Sequence, residues 1–254
     1  MTYARFASVL SALALVGACA SEPAPPPPTT GGNTPVDPAT AGSVTGRVTF
    51  SGTPPAAEPI RMGGDAACIA VAGTEPMTDV VLVDEASGSL QNVFVYVKDG
   101  LDPDYTFDVP TDAVVIDQVG CRYVPRVVGV RAGQPFEVVN SDDTFHNVHA
   151  MPNANREFNQ GQPLKGQRLT EVFTAPEVMV RFKCNVHSWM TAWVGVMAHP
   201  YFTVTTADGA FELAGLPPGT YTIEAWHETL GTRTQQVIVG ERGVETVSFT
   251  FSAD

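Results

Sequence analysis

The chain has 254 residues, a formal net charge of −13 at pH 7, 23 glycines and 21 prolines. It contains no Lys/Arg cluster, which excludes nucleic acid as a partner, because phosphate binding needs a basic surface. All but two of the acidic residues and all but one of the basic ones follow residue 43, so the part expected to fold carries a net −12 and favours basic partners.

Arg5 opens the chain with a positive charge, and Phe6 to Gly17 form an apolar stretch of the length of a signal-peptide core. That stretch is too short to span a bilayer. It runs into Val16-Gly17-Ala18-Cys19, which resembles the lipobox of bacterial lipoproteins. The resemblance implies a signal peptide over residues 1–18 and a lipid on the Cys19 thiol. Ala20, where an Asp would retain the protein at the inner membrane, implies an outer-membrane anchor facing the periplasm of a Gram-negative cell. Residues 19–43 are rich in Pro and Thr without apolar periodicity, and are read as a tether.

From Ser43 onward apolar residues alternate with a period of two, the signature of half-buried strands. Strands are predicted around Val44–Phe50, Val80–Val83, Val93–Val97, Val114–Ile116, Val127–Val130 and Phe136–Val139. Further strands are predicted at Val172-Phe173, Val178–Phe182, Ala192–Met197, Phe202–Thr205, Phe211–Leu213, Tyr221–Ala225, Gln236–Val239 and Val244–Phe251. No segment sustains a 3.6-residue period, so the expected fold class is all-β. Met151–Gly166 reads as a polar, Asn-rich loop.

Near the end, Asp208-Gly209 marks a hairpin turn, and Leu216-Pro217-Pro218-Gly219 leads into a strand begun by Tyr221. This pattern resembles the second half of a carboxypeptidase-regulatory-like, transthyretin-type β-sandwich. Gly46-Arg47-Val48 and Asn92–Val97 resemble the strands of its first half. Two layouts follow: residues 44–110 and 200–254 build one sandwich around an inserted domain at 111–199, or the three regions simply follow one another.

Export permits disulfides. With Cys19 lipidated, Cys68, Cys121 and Cys184 remain, an odd number, so one is free or bound to something. Cys184 lies in Cys184-Asn185-Val186-His187-Ser188-Trp189-Met190, where a thiol, an imidazole and a thioether fall within seven residues. His146 lies upstream in Asn140-Ser141-Asp142-Asp143-Thr144-Phe145-His146-Asn147. Two His, one Cys and a weak axial Met are the ligand set of a blue copper site. Cys184 is therefore expected on the metal, leaving Cys68 and Cys121 to pair.

Residues 112–198 resemble the plastocyanin, amicyanin and pseudoazurin group of cupredoxins. The resemblance rests on the His146-Asn147 pair, the strand Pro176–Lys183 running into Cys184, and a short C-x-x-H-x-x-M loop. It implies a Greek-key β-sandwich with one type 1 copper held by His146, Cys184, His187 and Met190. It further implies Asn147 and Asn185 hydrogen-bonding around the ligand loops. His187 would emerge through an apolar electron-exit patch that includes Phe145 and Trp189. His149 is expected to be a surface histidine or one that bonds around the ligands, and His199 and His227 to be structural or exposed.

The leading functional expectation is a membrane-anchored, periplasmic one-electron carrier with a basic redox partner, and not an enzyme. Copper capture or trafficking is an alternative, as is an adhesion or carbohydrate-binding module with a non-redox cupredoxin domain.

Overall fold

The period-two pattern becomes strands along most of the chain from Gly42 onward. The computed structural model describes Met1, residues 34–73 and residues 75–253. The expected signal segment, Cys19 and the tether through residue 33 lie outside the described residues. No described helix is long and apolar enough to cross a membrane.

The described residues form one helix and sixteen strands. In chain order they are β1 (Gly42–Ser51), α1 (Ala66–Ala72), β2 (Phe94–Asp99), β3 (Val114–Gln118), β4 (Tyr123–Val124) and β5 (Val127–Arg131). Then come β6 (Pro135–Asn140), β7 (His146–Met151), β8 (Phe158–Gln162), β9 (Arg168–Val172), β10 (Glu177–Lys183) and β11 (Thr191–Met197). The last are β12 (Phe202–Val204), β13 (Ala210–Leu216), β14 (Gly219–His227), β15 (Gly231–Val239) and β16 (Val244–Ser252).

The strands make four sheets, ordered β13-β1-β16, β12-β2-β14-β15, β5-β11-β10-β7-β8 and β4-β3-β6-β9. The first two unite both ends of the chain. β1 runs parallel to β16 from Ser43↔Val244 to Ser51↔Ser252 and antiparallel to β13, while β2 lies between β12 and β14. Between these sheets the alternating side chains of β1, β2, β13, β14 and β16 bury Val44, Val48, Val95, Leu213, Ile223 and Phe249. Gly46 permits this closeness, since a Cβ there would collide with the Val247 carbonyl and the Phe211 ring.

The other two sheets form a central sandwich from residues 114–197, with Ile116, Phe136, Val148, Phe182, Val194 and Val196 in its core. β3 and β6 pair in parallel, as do β5 and β11, so these neighbours need crossovers rather than hairpins. The two sandwiches meet through glycines. Gly129 and Gly195 face each other on β5 and β11, and the space their missing side chains leave is filled by the Phe202 and Phe94 rings. Beside this junction, Arg126 bonds Glu228 and Asp79, and the Trp193 and Trp226 rings lie 5.2 Å apart.

Three local expectations change. Val80–Val83 is not a strand: Asp84 and Ser87 turn the chain back at once, leaving a single bridge between Val83 and Leu90. Its side chains still pack on the terminal core, which accounts for the apolar pattern. The polar stretch Met151–Gly166 contains β8, whose backbone pairs with β7 even though few of its side chains are apolar. Helix α1 has too few turns to establish a period; it is set by the Asp65 N-cap, whose Oδ1 accepts from the Cys68 amide at 2.9 Å.

Candidate metal centre

The site forms where β7 begins and β10 ends. β7 and β10 are antiparallel neighbours with Lys183 opposite His149, so the residue after β10 and the first residue of β7 lie at the same end of the central sandwich. His146 opens β7, Cys184 follows β10, and His187 and Met190 sit on the loop that returns into β11. That loop is tight: the Met190 amide donates to the His187 carbonyl at 2.9 Å, and the Cys184 amide to the Met190 carbonyl at 3.2 Å.

All four side chains are buried, His146 fully, and Cys184 and Met190 belong to the core of the central sandwich. His146 Nδ1 lies 3.0 Å from His187 Nδ1, and Cys184 Sγ lies 3.8 Å from the same His187 nitrogen. One donor atom from each of His146, Cys184 and His187 falls within 4.8 Å of the others. Cys184 is free, while Cys68 and Cys121 are joined in a disulfide.

The far side of each imidazole settles its tautomer. His146 Nε2 is 2.9 Å from Asp142 Oδ2, and His187 Nε2 is 3.0 Å from Asp65 Oδ2. Each carboxylate accepts from the Nε2–H it faces, which leaves Nδ1 of each ring turned toward the other. Two buried lone pairs at 3.0 Å repel unless a positive charge stands between them. Burial, opposed by Asp142, pushes His146 below its ordinary pKa, which disfavours a proton as that charge. A metal cation that also takes the Cys184 thiolate satisfies all three donors, so the residues fit a copper ion.

The surrounding bonds hold this arrangement. Asp142 accepts from the Gly120 and Cys121 amides, both at 2.8 Å, as well as from His146. Asp65 is held below the usual carboxylate range first by the Cys68 amide and then by His187. Asn147 Oδ1 accepts from the Asn185 amide at 3.0 Å, tying the two ligand segments together. The Asn185 side chain points elsewhere, to His149 Nδ1 at 3.2 Å, while His149 Nε2 meets Glu157. Tyr123 OH donates to the Asn147 carbonyl at 2.7 Å, and burial and then Cys184 push its phenol upward. Beneath, a buried amide network of Gln118, Asn140 and Gln162 links β3, β6 and β8.

The exit patch differs from expectation. Phe145 is exposed and packs on Gly161, but Trp189 is partly buried and donates to the Cys121 carbonyl at 2.9 Å. His187 itself is only 1 % exposed, because Asp65 and the disulfide cover its outer edge, with Cys68 Sγ 3.6 Å from Nε2. His199 and His227 lie outside the site, and burial lowers each to about 4. Sequence reasoning passed over Asp65, Tyr123 and the role of Asp142. Asp142 lay within the motif that carries His146, but nothing local to Asp65 points to a residue 122 positions away.

Residues 194–252 match the carboxypeptidase regulatory-like domain family. No curated protein matches the sequence. Among solved structures, a copper-containing nitrite reductase from Thermus scotoductus SA-01 is similar at 22 % identity and a TM-score of 0.32, over 35 % of this chain and 23 % of that one. The chain thus spans about a quarter of that enzyme's length. A Cu(I) form of an amicyanin variant is similar at 24 % identity and a TM-score of 0.31, over 35 % of this chain and 87 % of that one. A purple cupredoxin from Nitrosopumilus maritimus is similar at 24 % identity and a TM-score of 0.29, over 34 % of this chain and all of that one.

Proposed function

We propose that His146, Cys184, His187 and Met190 would hold one copper ion, and that the chain is a one-electron carrier rather than an enzyme. The observation that carries this reading is the pair of carboxylate-held imidazoles whose Nδ1 lone pairs face each other at 3.0 Å beside the free Cys184 thiol. Copper held there would supply a Cu(II)/Cu(I) couple. The protein residues do the rest. Asp65 and Asp142 orient the rings, Asn147 and Tyr123 tie β7 to the Cys184 segment, and the buried surroundings limit rearrangement when the charge changes. A site closed to small molecules suits a carrier.

The lipobox-like Val16-Gly17-Ala18-Cys19 supports an exported protein, anchored through a lipidated Cys19 to the outer membrane and facing the periplasm. Its acidic charge suits a basic redox partner.

Metal analysis with absorption and EPR spectra of the chain produced without residues 1–19 tests the reading. One copper per chain and an intense thiolate-to-copper band are expected, and Cys184→Ser removes the band. A Cys184→Ser protein that kept it would overturn the assignment.

A further inference from the structure

Asp65 and the disulfide next to it form a unit that the ligand set alone does not require. Asp65 caps α1 with Oδ1 and gives Oδ2 to His187 Nε2, with Thr144 Oγ1 donating to the same oxygen at 3.3 Å. Three residues on, Cys68 is fully buried and bonded to Cys121, whose own amide donates to Asp142, the carboxylate on His146. The disulfide thus clasps the segment that brings Asp65 to His187 onto the segment whose amides hold Asp142 on His146.

We propose that Asp65 is a positioning residue that tunes this copper site, and that the Cys68–Cys121 bridge locks it onto the outer edge of His187. The inference rests on the copper reading above. A carboxylate accepting from Nε2–H gives the ring imidazolate character and makes Nδ1 a stronger donor. A stronger donor stabilises Cu(II) more than Cu(I), because the extra negative charge is felt more by the dication. Asp65 therefore lowers the reduction potential. It also closes the edge of His187 to solvent and to direct contact with a partner, so electrons leave from another side of the site.

Asp65→Asn removes the charge and keeps one of the two oxygens, so the Cys68 cap can persist while His187 Nε2–H loses its carboxylate acceptor. In the copper-loaded full chain, this variant is expected to shift the Cu(II)/Cu(I) affinity ratio roughly tenfold toward Cu(I), a rise of about 59 mV for a one-electron couple. Asp65→Glu restores most of the lost affinity for Cu(II). A potential that does not rise in Asp65→Asn overturns the tuning role, since a purely structural residue would change stability and leave the potential in place.

The locking role is read without metal. Diethyl pyrocarbonate, located by mass spectrometry, should spare His187 in the metal-free wild type and modify it in the Cys68→Ser/Cys121→Ser double variant. Equal modification overturns the lock. If the double variant does not fold, reduction of the bridge by a thiol in the folded, metal-free wild type must expose His187 in its place, and His187 that stays protected there overturns the lock. A wild-type chain that binds no copper defeats the copper reading and the tuning role together, while the His187 protection experiment still decides the lock.

Discussion

Between its two sheets, the sandwich made from the chain ends buries an almost uninterrupted set of Val, Leu, Ile and Phe side chains, from Val44 to Phe251. Its buried polar groups are scattered. Glu224 is one, held by Tyr96 and Lys98, and His227 is another, with its Nε2 unpartnered. The central sandwich buries a similar apolar core, but it also buries Gln118, Asn140, Asp142, His146, Asn147, Gln162 and His187 toward one end. Each buried polar atom costs free energy unless it is hydrogen-bonded. Nearly all of these are bonded, and the bonds converge on two ring nitrogens and a thiol that are left facing each other. One sandwich spends its interior on stability; the other uses part of it to hold three donors.

The largest test of that contrast removes apolar volume from the terminal core. Phe249 is 1 % exposed, and Phe249→Ala should cost about 4 kcal/mol in urea unfolding. A loss below about 1 kcal/mol would mean that this core is not what holds the chain ends together.

The next concerns pH. Burial lowers His227 to about 4, whereas an unfolded His titrates near 6.5. Between those values the unfolded chain binds the extra proton, so stability falls as pH drops through that window and levels off below it. The full effect is roughly 3 kcal/mol, at about 1.4 kcal/mol per pH unit. His227→Gln should remove that share of the slope in denaturant midpoints measured from pH 7 to pH 4. An unchanged slope would reassign it to other groups.

The smallest effect tests the polar network. Gln162→Leu takes from Gln118 Nε2 one of its two acceptors, leaving the Val139 carbonyl, and strips the Val138 carbonyl of its side-chain donor; it should cost about 2 kcal/mol in the metal-free protein, despite the added apolar surface. A stabilised variant would show that the network does not serve the fold.

Much of this was legible in the sequence. Period-two alternation and turn residues determine an all-β chain, because strand faces and turn dihedrals are local properties. The Cys184–Met190 spacing could be read because a short loop after a strand keeps its side chains together, whatever surrounds it. His146 was within reach because its strand context accompanies it. The tertiary structure alone decided the rest. Pairing β1 with β16 depends on which distant faces bury each other, and short-range pattern does not encode that choice. Asp65 reaches His187 only because the disulfide and the N-cap of α1 bring a remote segment over the ring. The four candidate ligands are local in origin, whereas the direction of each imidazole, and the closed edge of His187, arise from contacts across the whole central sandwich.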